Sequence, residues 1–123
     1  MTVQELYESI GGSYDSARRI LPMDQLIAKF VVKFLDDKSF EKIETAARAG
    51  DGSGIFEGAH AMKGVCANLG LDSLSQAASV LAEEFRPGHE RTMDDAAVQA
   101  KIAELKVRYE QTMEGIRQFS AGQ

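Results

Sequence analysis

Apolar residues recur along this chain at the three- and four-residue spacing of a helix, and nowhere at the alternating spacing of a strand. Thr2 and Glu5 form a capping-box pattern around a short helix carrying Val3, Leu6, Tyr7 and Ile10, which Gly11-Gly12 ends. Ser13 is placed to cap a second short helix reaching Leu21. Pro22 suits the first turn of a third, where a missing N–H costs little. Met23, Leu26, Ile27, Phe30, Val31, Phe34 and Leu35 give that helix an apolar stripe. Ser39 then caps a helix with Phe40, Ile43, Ala46 and Ala47, and Gly50-Asp51-Gly52 reads as a turn. Two further helices are predicted, one over about 53–69 stopping at Gly70, the other over about 72–85 with Leu74, Ala77, Ala78 and Leu81 inward. A loop around Pro87-Gly88 follows, and Thr92 and Asp95 signal the last helix, with Ile102, Leu105, Tyr109, Met113, Ile116 and Phe119 on one side.

Helices of this length joined by short loops imply an all-α fold, an antiparallel four-helix bundle whose end or side is covered by the two short N-terminal helices. No break in composition divides the chain, so residues 1–123 are expected to form one domain with a bundle core over about 22–119. At 123 residues, 44% apolar and 27% charged, the chain can build a core without staples. No apolar run approaches a membrane span, and no basic start with an apolar core marks a signal peptide. Cys66 is the only cysteine and can form no internal disulfide, which points to a reduced, cytoplasmic protein. The net charge of −5, with no cluster of Lys and Arg, counts against nucleic acid as a partner. Met1 and the compact length favour a free-standing protein, and a monomer is expected.

The informative stretch lies between Ile55 and Gly70. With about 100° per helical residue, Ile55, Gly58, Ala59, Met62, Val65, Cys66 and Leu69 fall opposite His60 in an arc of roughly 120°. That arc is the expected core face, so His60 points to solvent, where an imidazole is mostly neutral and nucleophilic at pH 7. Lys63 and Gly64 flank it at i+3 and i+4, with Phe56 one turn before and Ala67 two turns after. Lys63 can set an ammonium beside an anion held on His60. Glycine inside a helix costs about 1 kcal/mol relative to alanine. Gly58 faces the core, where close helix packing explains it. Gly64 faces solvent, so clearance for a partner is the better reading. Phe56 is expected either to anchor that partner or to turn inward.

The run Ala59-His60-Ala61-Met62-Lys63-Gly64-Val65-Cys66-Ala67-Asn68-Leu69-Gly70 resembles the signature of histidine phosphotransfer (HPt) domains: a His, an aliphatic residue two on, Lys-Gly, then Leu-Gly. Leu71, Asp72, Leu74, Ala78 and Leu81 resemble the family's next helix, and the likeness covers about residues 20–88. It implies a four-helix bundle in which His60 accepts the phosphoryl group, Lys63 supports it and Gly64 clears space. Phe56 and Ala67 would then border a docked partner. The implied partners are response regulator receiver domains or a hybrid histidine kinase in a two-component phosphorelay. No cofactor is expected beyond Mg²⁺ in the receiver. The chain has no Gly-rich phosphate loop and no Walker lysine, so it is expected to be a phosphocarrier and not a kinase. Two positions depart from the pattern. Met62 replaces a Leu or Ile, and Ala82 stands where many members carry a Glu or Gln facing the His helix, a support that is either lost here or falls to Glu83.

A helical interaction module that is never phosphorylated is the alternative from another class. An acid–base enzyme is a poor third, since no carboxylate partner for His60 is visible. His89 is expected to be solvent-exposed in its Pro-Gly loop, Cys66 to be an inert apolar filler, and Glu83-Glu84 to lie on a solvated helix surface. No metal-ligand spacing joins His60, His89 and Cys66. Val32 falls on the polar side of its helix, either singly exposed or part of a docking patch with Phe56.

Overall fold

Every helix start with a side-chain cap uses a short oxygen-bearing residue, as the backbone's orphan N–H groups require. Thr2 and Glu5 form the reciprocal capping box, at 3.1 and 2.8 Å. Ser13, Asp51 and Asp94 each accept a hydrogen bond from the backbone N–H three residues on. The computed structural model describes residues 1–123 and contains no strand. Its helices are α1 (Val3–Ser9), α2 (Tyr14–Ile20), α3 (Asp24–Lys33), α4 (Ser39–Arg48), α5 (Gly52–Asn68), α6 (Asp72–Glu84) and α7 (Asp95–Ala121), with a 3₁₀ turn at Phe34–Asp36 after α3. None is long and apolar enough to cross a membrane.

The bundle consists of α4 to α7. Helix α5 lies between α4 and α6, and α7 closes the ring against both α6 and α4. Helices α4 and α5 approach closely at Gly58, where a Cβ would stand 2.7 Å from Ile43 Cγ1 and 3.1 Å from the Ser39 carbonyl. Ile27, Ile43, Met62, Leu74, Leu81, Leu105 and Ile116 are fully buried between the elements. Tyr109 is half-buried and stacks on Phe40, ring centroids 4.9 Å apart.

Helices α1 and α3 pack on α7, and the segment joining α1 to α2 clasps the end of α5. Tyr7 is fully buried, and its hydroxyl donates to the Leu69 carbonyl at 2.5 Å. The Ser13 N–H donates to the Gly70 carbonyl at 2.8 Å. Gly70 has φ +69°, and a Cβ there would meet the Ser13 carbonyl at 2.6 Å, so both its conformation and its neighbour require glycine. The carbonyls of Leu69 and Gly70, just past the end of α5, are thus met by the N-terminal segment, while those of Val65, Cys66 and Ala67 accept from the N–H groups of residues 69–71.

Several sequence expectations are displaced. Pro22 lies outside α3, which starts at Asp24 without a side-chain cap. Ser39 is the first residue of α4 and not its cap, with its N–H and hydroxyl both donating to Asp37. The stripe on α3 is only partly covered. Ile27, Val31 and Phe34 are buried, whereas Met23 and Phe30 remain 52% and 38% exposed. Helix α3 packs against α1, α2 and α7. Val32, by contrast, is half-buried against the core and not singly exposed.

Candidate functional site

Helix α5 is fixed at one end by the Asp51 cap and at the other by the clasp on Leu69 and Gly70. Between them Gly54, Ile55, Gly58, Ala59, Met62 and Cys66 are buried, so the opposite face is outward. Burial pushes the Cys66 thiol above its ordinary range, consistent with an inert filler. Val65 departs from the expected core arc and is 40% exposed. It stands at the arc's edge and borders an open hollow with Phe30, Phe34 and Leu69.

His60, Lys63, Gly64 and Ala67 are all exposed. Around Gly64 there is open space, with no atom within 4 Å of where a Cβ would stand. His60 is exposed and lines none of the hollows formed around Lys63 and His89, around Phe85 and Ile102, or around Phe30 and Val65. Phe56 neither joins the core cluster nor lies bare. It is half-buried, and its ring stacks on that of His60 with centroids 5.3 Å apart and planes 16° from parallel. Lys42 on α4 pairs with Glu57 on α5 at 2.8 Å, leaving Lys63 as the cation of the His60 turn.

No side-chain hydrogen bond reaches the His60 ring. Ala82 is buried and apolar. Glu83 turns away to Arg86, which donates to it at 3.1 and 3.3 Å. Those bonds hold its carboxyl below the usual range, with smaller contributions from His89 and Lys63. The polar support considered for Glu83 is therefore not made.

Two loop expectations fail for one reason, which is Glu84. This residue is 3% exposed and accepts four hydrogen bonds, from the Arg91 guanidinium, the Thr92 N–H and hydroxyl, and the Met93 N–H. The bond from Met93, then that from Thr92, draw its carboxyl down to about 2. Thr92 is consequently a partner of Glu84, and Asp94 caps α7. The same fold of the loop tucks His89 inward. Its side chain is 24% exposed, with Nε2 3.9 Å from Glu83 and Nδ1 buried without a partner.

The structure is thus an all-helical bundle that presents an outward histidine beside a lysine and a bare glycine on its surface. The Hpt domain family model matches residues 25–118, most of the chain, and the chain belongs to that family. No curated protein and no solved structure gives a match. Hpt domains are phosphocarriers that pass phosphoryl groups through a histidine in phosphorelays, interacting with receiver domains and histidine kinases, and histidine phosphotransfer is the function of this domain.

Proposed function

We propose that His60 is the phosphoryl acceptor and donor of this domain. It takes the group from the phospho-aspartate of a receiver domain, or from a histidine kinase, and passes it to a receiver aspartate. The observation that carries this reading is the exposed His60 on α5, with Lys63 and the open Gly64 one turn on. In the forward step the Nε2 lone pair forms the N–P bond while the P–O bond to the aspartate breaks and the carboxylate leaves with its electron pair. The return step reverses this. Such transfer is mainly positioning and charge neutralisation. Lys63 supplies a cation for the phosphoryl oxygens, and the partner's acidic pocket supplies Mg²⁺. Phe56 and Ala67 lie at the edge of any partner that reaches the ring.

The test is phosphoryl uptake from a purified receiver charged with acetyl phosphate. Wild type should gain acid-labile, alkali-stable phosphate. His60→Gln should keep the helical circular dichroism spectrum and gain none. Undiminished acid-labile phosphate on that variant would exclude His60.

A further inference from the structure

An imidazole that attacks phosphorus must aim the in-plane lone pair of one nitrogen along the line of the breaking bond. Rotation about the Cβ–Cγ bond sweeps that lone pair away from the line, so some contact has to hold the ring plane. A hydrogen bond to Nδ1 is the usual means of doing so. Here none reaches the ring. Ala82 offers no polar group, and Glu83 is committed to Arg86. The contact that is present is the Phe56 ring, one turn earlier on the same helix, near-parallel at 16° and 5.3 Å between centroids.

From this we infer that Phe56 is a positioning residue for phosphoryl transfer, holding the His60 ring plane by stacking in place of a hydrogen bond from α6. This rests on the reading of His60 as the acceptor. The separation and near-parallel planes are those of an offset aromatic stack. A stack fixes the plane but leaves the ring's edge, with both nitrogens, open to a partner. It also selects neither tautomer. The neutral ring can therefore present a bare Nε2 lone pair while the proton sits on Nδ1. In the transfer that Nδ1 proton stays, the new N–P bond takes the Nε2 pair, and the phosphorylated ring is left cationic above an aromatic face that favours it. Half-burial of Phe56 outside the core cluster agrees with a role on the surface next to His60.

The experiment compares wild type with Phe56→Leu and Phe56→Tyr. The donor is a receiver domain from the same organism, charged with acetyl phosphate. The readings are kcat, KM, thermal unfolding, and the proton NMR shifts of the His60 ring. Phe56→Leu should lower kcat about two- to tenfold with KM unchanged, the size expected of one aromatic pair. The His60 ring protons should lose their upfield ring-current shift. Phe56→Tyr should restore both. If the leucine variant unfolds below the assay temperature, Phe56→Met carries the same comparison. A raised KM with unchanged kcat would make Phe56 a docking anchor and overturn the inference, as would an unchanged kcat. Failure of wild type to take up phosphate would overturn the acceptor reading, and the role of Phe56 with it. Uptake by wild type with an unaltered leucine variant would overturn the stacking role alone.

Discussion

Two glycines inside α5, six residues apart, should respond to alanine in opposite directions. Both substitutions remove the same helix penalty, about 1 kcal/mol per glycine. At Gly64 the new Cβ meets nothing within 4 Å, so that gain is realised in full. At Gly58 the Cβ would stand 2.7 Å from Ile43 Cγ1, 3.1 Å from the Ser39 carbonyl and 3.2 Å from the Ile43 nitrogen. Two of those three atoms are backbone of α4, which cannot yield without shifting the helix. Overpacking of this kind costs about 1–3 kcal/mol. The propensity terms cancel between the two variants, so Gly64→Ala should exceed Gly58→Ala in stability by about 1–3 kcal/mol. Relative to wild type, Gly64→Ala should melt about 3–5 °C higher for a chain of this size. Urea unfolding followed by circular dichroism gives both numbers. Gly64→Gln completes the set. Its stability should equal or exceed that of wild type, while phosphoryl transfer slows because a long side chain enters the clearance beside His60. A lower melting temperature for Gly64→Ala, or transfer by Gly64→Gln within twofold of wild type, would refute the reasoning that the bare surface at Gly64 serves access.

Tyr7→Phe removes the hydroxyl that meets the buried Leu69 carbonyl and should cost about 1–3 kcal/mol by denaturant unfolding. Glu84→Gln should lower stability at pH 7 and free the loop between α6 and α7, seen as faster amide exchange at Thr92 and Met93. The carboxyl of Glu84 is drawn from 4.5 to about 2, so its stabilisation is complete above pH 4.5 and is lost as pH falls toward 2. The gap in melting temperature between wild type and Glu84→Gln should therefore be constant near neutrality and close across that acid window. A gap that widens on acidification would contradict the sign.

Much of the bundle is legible in the chain because helix starts and apolar spacing are local properties. The capping box at Thr2 and Glu5, the cap at Ser13 and the stop at Gly70 are each decided within one turn of backbone. The outward position of His60 follows from the spacing of Ile55, Ala59, Met62 and Cys66 alone. What the spacing does not carry is which neighbour covers which face. Val65 and Phe30 are apolar and on plausible core stripes, yet exposed, because they face each other across an open hollow and not across a packed seam. Glu84 looks like half of a solvated acidic pair, and only the return of the loop over 91–93 makes it the centre of four hydrogen bonds. Tyr7 reads correctly as apolar, but its hydroxyl's partner lies 62 residues away and leaves no local trace. Phe56 is not the core residue that a large apolar side chain suggests, since a ring at i and a ring at i+4 can cover each other on the surface.

With His60 as the proposed acceptor, the open helix face around it also constrains the timing of the relay. A single ring on a single outward face cannot lie in two partners' active sites at once. Donor and acceptor must therefore visit in turn, and the first has to leave before the second can bind. Turnover would then take the form of double displacement, with the phosphorylated domain as the intermediate between encounters. Each complex must be short-lived compared with the interval between signals. Because affinity among related complexes is set mostly by the dissociation rate, a substitution that tightens either encounter will raise throughput only until departure becomes the slow step. Beyond that point stronger binding turns a messenger into a competitive inhibitor of its own next partner.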